Sequence, residues 1–254
     1  MNDRGLRFGT VAAAYERYRP GYSAHIADKI LAYANPPVSS AIEIGAGTGK
    51  ATRLFTDRGI AVTAVEPDPD MLAVLHQEIP AATPVQSTLE SLQLPATFDL
   101  LYAAAAWHWT DPATRWQQAA ALIRSGGTAA FFGGPIRIAD PQLRQAVADA
   151  RRTIVDDDEI PPPGKTSSNG IKWPASEILE SELFTDVEQH EVPRSITVPA
   201  ADYVGNLSTV SAYLVLAATD RDEVLRRTAA VLPAEVELRL DITLHLARRT
   251  RASE

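Results

Sequence analysis

Glu43-Ile44-Gly45-Ala46-Gly47-Thr48-Gly49 places an acidic residue and alternating glycines between a short apolar run and a helical pattern. A strand, a tight turn and a helix N-terminus in that order can hold a nucleotide-like cofactor, because glycine lets the backbone approach the ligand and free N–H groups face it. Glu66 ends the next apolar run, where a carboxylate can accept hydrogen bonds from both hydroxyls of a ribose. Trp107-His108-Trp109 is the third group suited to chemistry. An imidazole with its ordinary pKa of about 6.5 can take a proton from a hydroxyl or an amine, and two indoles beside it would exclude water.

The spacing of the glycines narrows the ligand. A dinucleotide fingerprint needs glycines at its first, third and sixth positions. Counted from Gly45, the third is Gly47, but the sixth is Lys50, and the next glycine falls one place early at Gly49. Glu43 also stands just ahead of the turn, and a carboxylate there suits a ligand carrying an ammonium group better than one bringing a pyrophosphate. Glu66 by itself serves either kind of ligand. Gly164-Lys165-Thr166 hints at a phosphate loop, but the full motif needs glycine where Glu159 stands, so this stretch reads as a plain loop.

Around these residues the chain alternates strands and helices. Phe8, Val11, Ala12 and Tyr15 share a helical face within a helical region over residues 6–35, broken at Arg19-Pro20-Gly21. Strands are expected at 41–44, 61–65, 83–86, 98–103 and 128–132, with a helix over 50–57 and another opening at Asp68-Pro69. A further helix begins near Thr110-Asp111-Pro112 and is closed by Gly126-Gly127. Strands so interleaved with helices imply a parallel, doubly wound sheet. Beyond it lie a helix over 141–155, an acidic and proline-rich loop over 156–170, and a late helix with Asp220 and Glu223 as a capping pair. Leu238, Leu240, Ile242, Leu244 and Leu246 alternate with polar residues, one half-buried strand pairing as a hairpin with 187–198.

Composition limits the classes of function. The chain has 254 residues, of which 45% are apolar, and can bury the core of one α/β domain with an elaboration. It has no cysteine, which removes disulfides, thiolate metal sites and cysteine nucleophiles. Its formal net charge is −8 with dispersed basic residues, so no nucleic-acid partner is expected. No apolar run approaches a membrane span, and the scattered charges of the first residues do not resemble a signal peptide. The expectation is a cytoplasmic enzyme with a small-molecule substrate and no membrane partner. Whether it is a monomer or a homodimer stays open.

Taken together, Glu43 to Gly49 and Glu66 resemble the class I S-adenosylmethionine-dependent methyltransferases. The resemblance extends to Phe8–Tyr22 as the N-terminal lid of the small-molecule branch, to Ser87–Leu92 as its adenine-side loop, to 98–109 as its fourth motif, and to the C-terminal region. It implies a Rossmann-like seven-stranded sheet, mostly parallel with an antiparallel C-terminal hairpin strand, plus helical lid elements. The chain would be one domain: lid 1–35, cofactor core 36–134, cap elements 135–180 and 200–232, and terminal strands 185–199 and 236–248.

The implied cofactor is S-adenosylmethionine, with S-adenosylhomocysteine as product. By this resemblance Gly45, Ala46, Gly47, Thr48 and Gly49 approach its methionine half, with Glu43 near the ammonium group and Arg19 on the carboxylate. Glu66 with Pro67 takes the ribose, Asp68 or Met71 flanks the adenine, and Thr88 and Leu89 close its other side. Ala103 and its small neighbours leave room at the strand end. Tyr15, Tyr22, Trp107, His108, Trp109 and Trp173 are the expected acceptor contacts, His108 doubling as general base where the acceptor arrives protonated. A carboxylate acceptor would need no base. His108 and Asp111 have no evident third ligand, so no metal is expected. Two other readings stand beside this one: a cofactor-binding or pericyclase-like protein on the same fold, and, less favoured by the glycine spacing, a nicotinamide oxidoreductase.

Overall fold

The apolar runs at the centre of the chain form the inner strands of a seven-stranded sheet. The computed structural model describes residues 8–35, 37–94, 97–155 and 165–251. Strands β1 (Ser40–Ile44), β2 (Ala61–Val65), β3 (Thr83–Val85), β4 (Phe98–Ala104) and β5 (Ile123–Gly133) are mutually parallel and stand in the order β3-β2-β1-β4-β5. Helix α3 (Thr52–Thr56) follows β1, α4 (Pro69–Glu78) follows β2, and α5 (Arg115–Leu122) precedes β5. Asp68 caps α4 through its side chain, with proline at the first helical position, as its sequence suggests. The N-terminal region forms a 3₁₀ turn (Gly9–Val11), α1 (Ala12–Tyr18) and α2 (Ala24–Tyr33).

Near-continuous burial of β1 and β4 follows from helices covering both faces. Ile42, Leu101, Ala129 and Phe131 point to one face and meet Trp107 and Trp116; Ala41, Leu100, Tyr102 and Phe132 point to the other and meet Ile26, Ile30 and Phe55.

Three sequence expectations change. Gly126-Gly127 do not close α5, which passes directly into β5. Phe98 pairs with Ile123 and Leu100 with Thr128, so residues 124–127 bulge opposite Asp99. Asp220 and Glu223 do not form a capping pair: α10 (Ala218–Val231) has no side-chain cap, and Glu223 instead binds Arg226 and Arg227. The long C-terminal alternation is two strands, β9 (Glu235–Leu240) and β10 (Ile242–Arg249). β10 lies between β5 and β7 (Phe184–Val192), antiparallel to both. β9 lies in a second, antiparallel sheet between β6 (Ile136–Ile138) and β8 (Ser195–Pro199).

The alternation persists across the break because both strands bury the same parity. Leu238 and Leu240 enter a separate core with residues of α6 (Pro141–Arg151), α8 (Ala200–Leu207) and α10, whereas Leu244 and Leu246 enter the core of the main sheet. Short helices α7 (Ala175–Ile178) and α9 (Ser211–Leu214) complete the described elements. Most of the acidic proline stretch, residues 156–164, lies outside the described residues.

Asp99 ties the bulge to the start of β1. Its Oδ2 accepts from the backbone N–H of Ser39 at 2.9 Å and of Ser40 at 3.0 Å, while Oδ1 accepts from Arg124 Nε at 2.6 Å. Burial opposes the charged form, but Arg124 and these N–H groups outweigh it and hold the carboxyl well below the usual aspartate range. A depressed folded pKa gives stability that is present above the unfolded value and lost as pH falls toward the folded one. Asp99→Asn is expected to lower the unfolding free energy at pH 7 by about 1–2 kcal/mol, after allowance for solvent screening. In denaturant titrations the difference from the parent should shrink below pH 4; a difference independent of pH would remove this role.

Candidate functional site

The exits of β1, β2 and β4 converge on one cavity. Gly45 leaves β1 at φ +70°, and a Cβ there would stand 2.5 Å from the Cβ of Ala106 beyond β4. Only glycine permits that approach together with a positive φ. The N–H groups of Gly45 and Ala46 donate to the Val65 carbonyl at 2.9 and 3.0 Å, and Gly47 N–H donates to Glu66 Oε2 at 2.8 Å. Glu66 Oε1 accepts from Asp68 N–H at 3.0 Å. Burial raises the Glu66 pKa against these backbone hydrogen bonds. Glu66 nonetheless lines the cavity, held in a fixed position by these two bonds.

Gly45, Gly47, Ile44 and Val65 line one side of this cavity, with Glu66, Pro67 and Met71 following β2. Ser87, Thr88, Leu89 and Glu90 come from the connection after β3, and Ala106, Trp109 and Thr110 from beyond β4. Phe8 and Tyr15 come from the N-terminal segment. Their rings meet edge-on with centroids 6.1 Å apart, and Phe8 meets Trp109 at 6.4 Å. Asp68 holds this segment in place: its Oδ2 accepts the Gly9 N–H at 2.9 Å while Oδ1 caps α4.

A second, smaller cavity shares Tyr15 with the first, at about 80 Å³ against about 110 Å³. Arg19, Tyr22, Ser23 and Ile26 line it from the N-terminal region, Lys50 from the stretch after the glycine turn, and Ala105 from beyond β4. Its remaining walls are the crossings between the two sheets: Gly134 and Ile136, Val192 and Arg194, and Leu240 and Ile242. Gly134 is required at its crossing, since a Cβ would stand 2.0 Å from the Asp241 carbonyl oxygen. Ala105 lines the second cavity and Ala106 the first, and Ala105 turns the chain with φ 52°, unusual for a residue with a Cβ.

Several expected site residues stand elsewhere. Glu43 lines neither cavity: it is 1% exposed, and its Oε2 accepts from Thr52 Oγ1 at 2.5 Å and Tyr102 O–H at 2.9 Å. Strand alternation turns it to the α3 face with Ala41. Ala46, Thr48 and Gly49 are also off the lining; Ala46 is core, and a Cβ on Gly49 would strike Ile79 of the α4 end at 2.5 Å. Asp68 is a cap and latch and Ala103 is core. The 3₁₀ turn Trp107–Trp109 sends Trp107 inward against Phe131 and Trp116, at centroid distances of 4.5 and 5.1 Å. His108 packs on Trp109 at 4.6 Å and lines neither cavity. Burial lowers its pKa to about 4, so it stays neutral and weakly basic. The base expected at His108 is therefore not on the lining. Trp173 packs at the main core and donates to Glu177 at 3.0 Å, remote from both linings. Arg19 lines the second cavity rather than the first. Phe8, Glu90 and Ala106 join the first lining from segments expected at the site, whereas Thr110 on the first and, most consequentially, Arg194 on the second were not foreseen. Among the described residues no three His, Asp or Glu side chains are grouped to hold a metal, and no helix is long and apolar enough to cross a membrane.

A sheet ordered β3-β2-β1-β4-β5-β10-β7, with its ligand cavity over the exits of β1, β2 and β4, is the architecture of class I methyltransferases, whose cofactor is S-adenosylmethionine. Residues 42–131 match the family model described as methyltransferase domain. An uncharacterized methyltransferase of Mycobacterium tuberculosis is 40% identical over 126 residues, which are 49% of this chain and 51% of the relative. The chain thus spans about half the length of the curated relatives it matches. In three dimensions it is similar to a protein of Anaeromyxobacter dehalogenans described as a type II methyltransferase, at TM-score 0.68 and 22% identity over 92% of this chain and 100% of that one. It also resembles a phosphoethanolamine N-methyltransferase of Haemonchus contortus bound to phosphomonomethylethanolamine and S-adenosylhomocysteine, at TM-score 0.55 and 15% identity over 98% of this chain and 59% of that one.

Burial pushes the Glu43 carboxyl up to about 8, despite hydrogen bonds from Thr52 and Tyr102 that favour its charged form. A folded pKa above the unfolded one gives stability that is complete below the unfolded value and lost as pH rises through the folded value. The parent should therefore lose stability relative to Glu43→Gln between about pH 4.5 and 8, by about 1–3 kcal/mol. Unfolding titrations at pH 5 and 8.5 measure the change; parallel curves would mean Glu43 is ionised throughout.

Proposed function

We propose that this protein transfers the methyl group of S-adenosylmethionine to an oxygen atom of a small-molecule acceptor. The observation that carries this reading is the pair of cavities meeting at Tyr15 and at Ala105–Ala106. The first has the groups an adenosyl ligand needs: Glu66 for the ribose hydroxyls, Met71 and Leu89 as apolar walls, and the backbone cradle of Gly45 and Gly47. Bound there, the cofactor supplies a methyl group already activated by a positive sulfonium.

The chain's own part is positioning. Tyr15 and Trp109 close the first cavity from opposite elements and exclude water. An aromatic face beside a cation gains about 0.5–2 kcal/mol. Holding acceptor and methyl carbon in line contributes about 7–11 kcal/mol in well-oriented systems, so no elaborate catalytic group is required. Oxygen is favoured over nitrogen because Arg19, Lys50 and Arg194 on the second cavity oppose an ammonium substrate. It is favoured over carbon because a carbon acceptor needs a base, and among the described residues no histidine or carboxylate lines the second cavity.

Isothermal titration should detect binding of S-adenosylhomocysteine and none of NAD. Glu66→Ala should weaken S-adenosylhomocysteine at least tenfold, the loss of two charge-assisted hydrogen bonds. Undiminished affinity in that variant, or preference for NAD, would remove the cofactor assignment.

A further inference from the structure

The second cavity carries uncompensated positive charge. Arg19, Lys50 and Arg194 line it, and among the described residues no aspartate or glutamate does. Lys50 is paired with Glu16 at 3.0 Å. The two arginines are not paired with any carboxylate among the described residues: Arg19 donates to Thr209 Oγ1 at 2.9 Å and to the Thr209 carbonyl at 3.2 Å, and Arg194 donates to the Gly21 carbonyl at 2.8 Å. Elsewhere arginines such as Arg58, Arg115, Arg124, Arg226 and Arg248 reach carboxylates. Two guanidinium groups at one cavity, held by neutral oxygens and, for Arg19, by the Tyr15 ring 5.2 Å away rather than by carboxylates, in a chain of net charge −8, point to a site for anions.

The cofactor does not supply enough negative charge. It brings one carboxylate, together with an ammonium and a sulfonium, and leaves the site more positive than before. If its carboxylate meets Arg19, Arg194 still lacks a counter-ion. Among the described residues the second cavity also offers no base: Tyr22, which burial makes a far weaker acid than usual, and Tyr15 are the ionisable groups on its lining besides the three cations. An alcohol or phenol would have to shed its proton with no acceptor on the wall. A carboxylate arrives already ionised at neutral pH.

Resting on the methyl-transfer reading above, we infer that the acceptor is a small carboxylic acid, held by Arg194 and methylated on its own carboxylate oxygen. That oxygen forms the new bond to the methyl carbon as the carbon–sulfur bond breaks and its electron pair stays on sulfur. The products are a methyl ester and neutral S-adenosylhomocysteine, and no proton moves. Arg194 is a positioning and specificity residue. It stands on the crossing between β7 and β8, where its carbonyl accepts the Leu240 N–H at 2.7 Å, so its backbone is fixed by the second sheet.

The probes are succinate, glutarate, hexanoate and benzoate, each with the matching alcohol and amine, and methyl-labelled S-adenosylmethionine. Carboxylates alone should be labelled, and mild alkali should release the label as methanol, as an ester requires. Titration of the same carboxylates into protein saturated with S-adenosylhomocysteine reads binding without turnover. Arg194→Gln should raise KM and Kd for the carboxylate at least tenfold, with S-adenosylhomocysteine affinity unchanged within twofold, and Arg194→Lys should restore part of the loss. Unchanged cofactor affinity also shows that the variant is folded. Labelling of alcohols or amines instead, an alkali-stable label, no carboxylate bound or labelled, or an Arg194→Gln variant with parental KM would each overturn the inference while leaving the cofactor assignment standing. Failure to bind S-adenosylhomocysteine would overturn both.

Discussion

A single buried carboxylate organises the first cavity. Glu66 takes the Gly47 N–H on one oxygen and the Asp68 N–H on the other, which fixes the turn after β1 to the turn after β2. Asp68 passes the constraint on by capping α4 and holding Gly9 of the N-terminal segment. Three pieces of chain far apart in sequence are thereby set around one space. Burying such a group is costly unless its lone pairs are satisfied, and backbone N–H groups satisfy it without side-chain freedom to lose. The turn so fixed carries positive φ at both Gly45 and Gly47.

The second cavity depends on a different constraint, the passage of three connections between two sheets. Gly133 to Ile136, Val192 to Ser195 and Leu240 to Ile242 all cross there. They can lie side by side because Gly134 has no side chain to strike Asp241. The second sheet with α6, α8 and α10 forms its own core, so Arg194 hangs from a framework independent of the cofactor turn. The proposed holding of cofactor and of acceptor thus rests on different parts of the chain, and the match to the family model stops at residue 131.

How much of this was legible in sequence depended on the range of the interaction. The five parallel strands and the Asp68 cap were readable because period and capping are local, and a seven-stranded, mostly parallel sheet was implied by the motif resemblance, though not its strand order. Glu43 was misplaced although its signal was available: in a strand, Glu43 faces with Ala41 and away from Ile42 and Ile44, whose face the cavity shares. His108 and Trp107 were misplaced for a reason sequence does not carry. The positive φ at Ala105 and the 3₁₀ turn after it rotate successive side chains, so Ala105, Ala106 and Trp109 face the cavities and Trp107 turns into the core. Arg194 was overlooked because 187–198 reads as one strand, whereas Pro193-Arg194 is the point where the chain leaves one sheet for the other.

The charge of the whole chain and the charge of its second cavity have opposite signs, and distance decides which one a ligand feels. At physiological ionic strength the field of dispersed surface carboxylates decays over about 8 Å. Inside the cavity the nearest charges are Arg19, Lys50 and Arg194 in a partly dehydrated setting, where an ion pair is several times stronger than at the surface. The net acidity therefore opposes an anion only weakly during approach and does not offset its attraction once inside. A cation meets the reverse: general attraction outside and, inside, two guanidinium groups with no carboxylate partner among the described residues. On the reading proposed above, such an arrangement would select by what it rejects as much as by what it holds, because an amine that entered would leave both arginines without counter-ions.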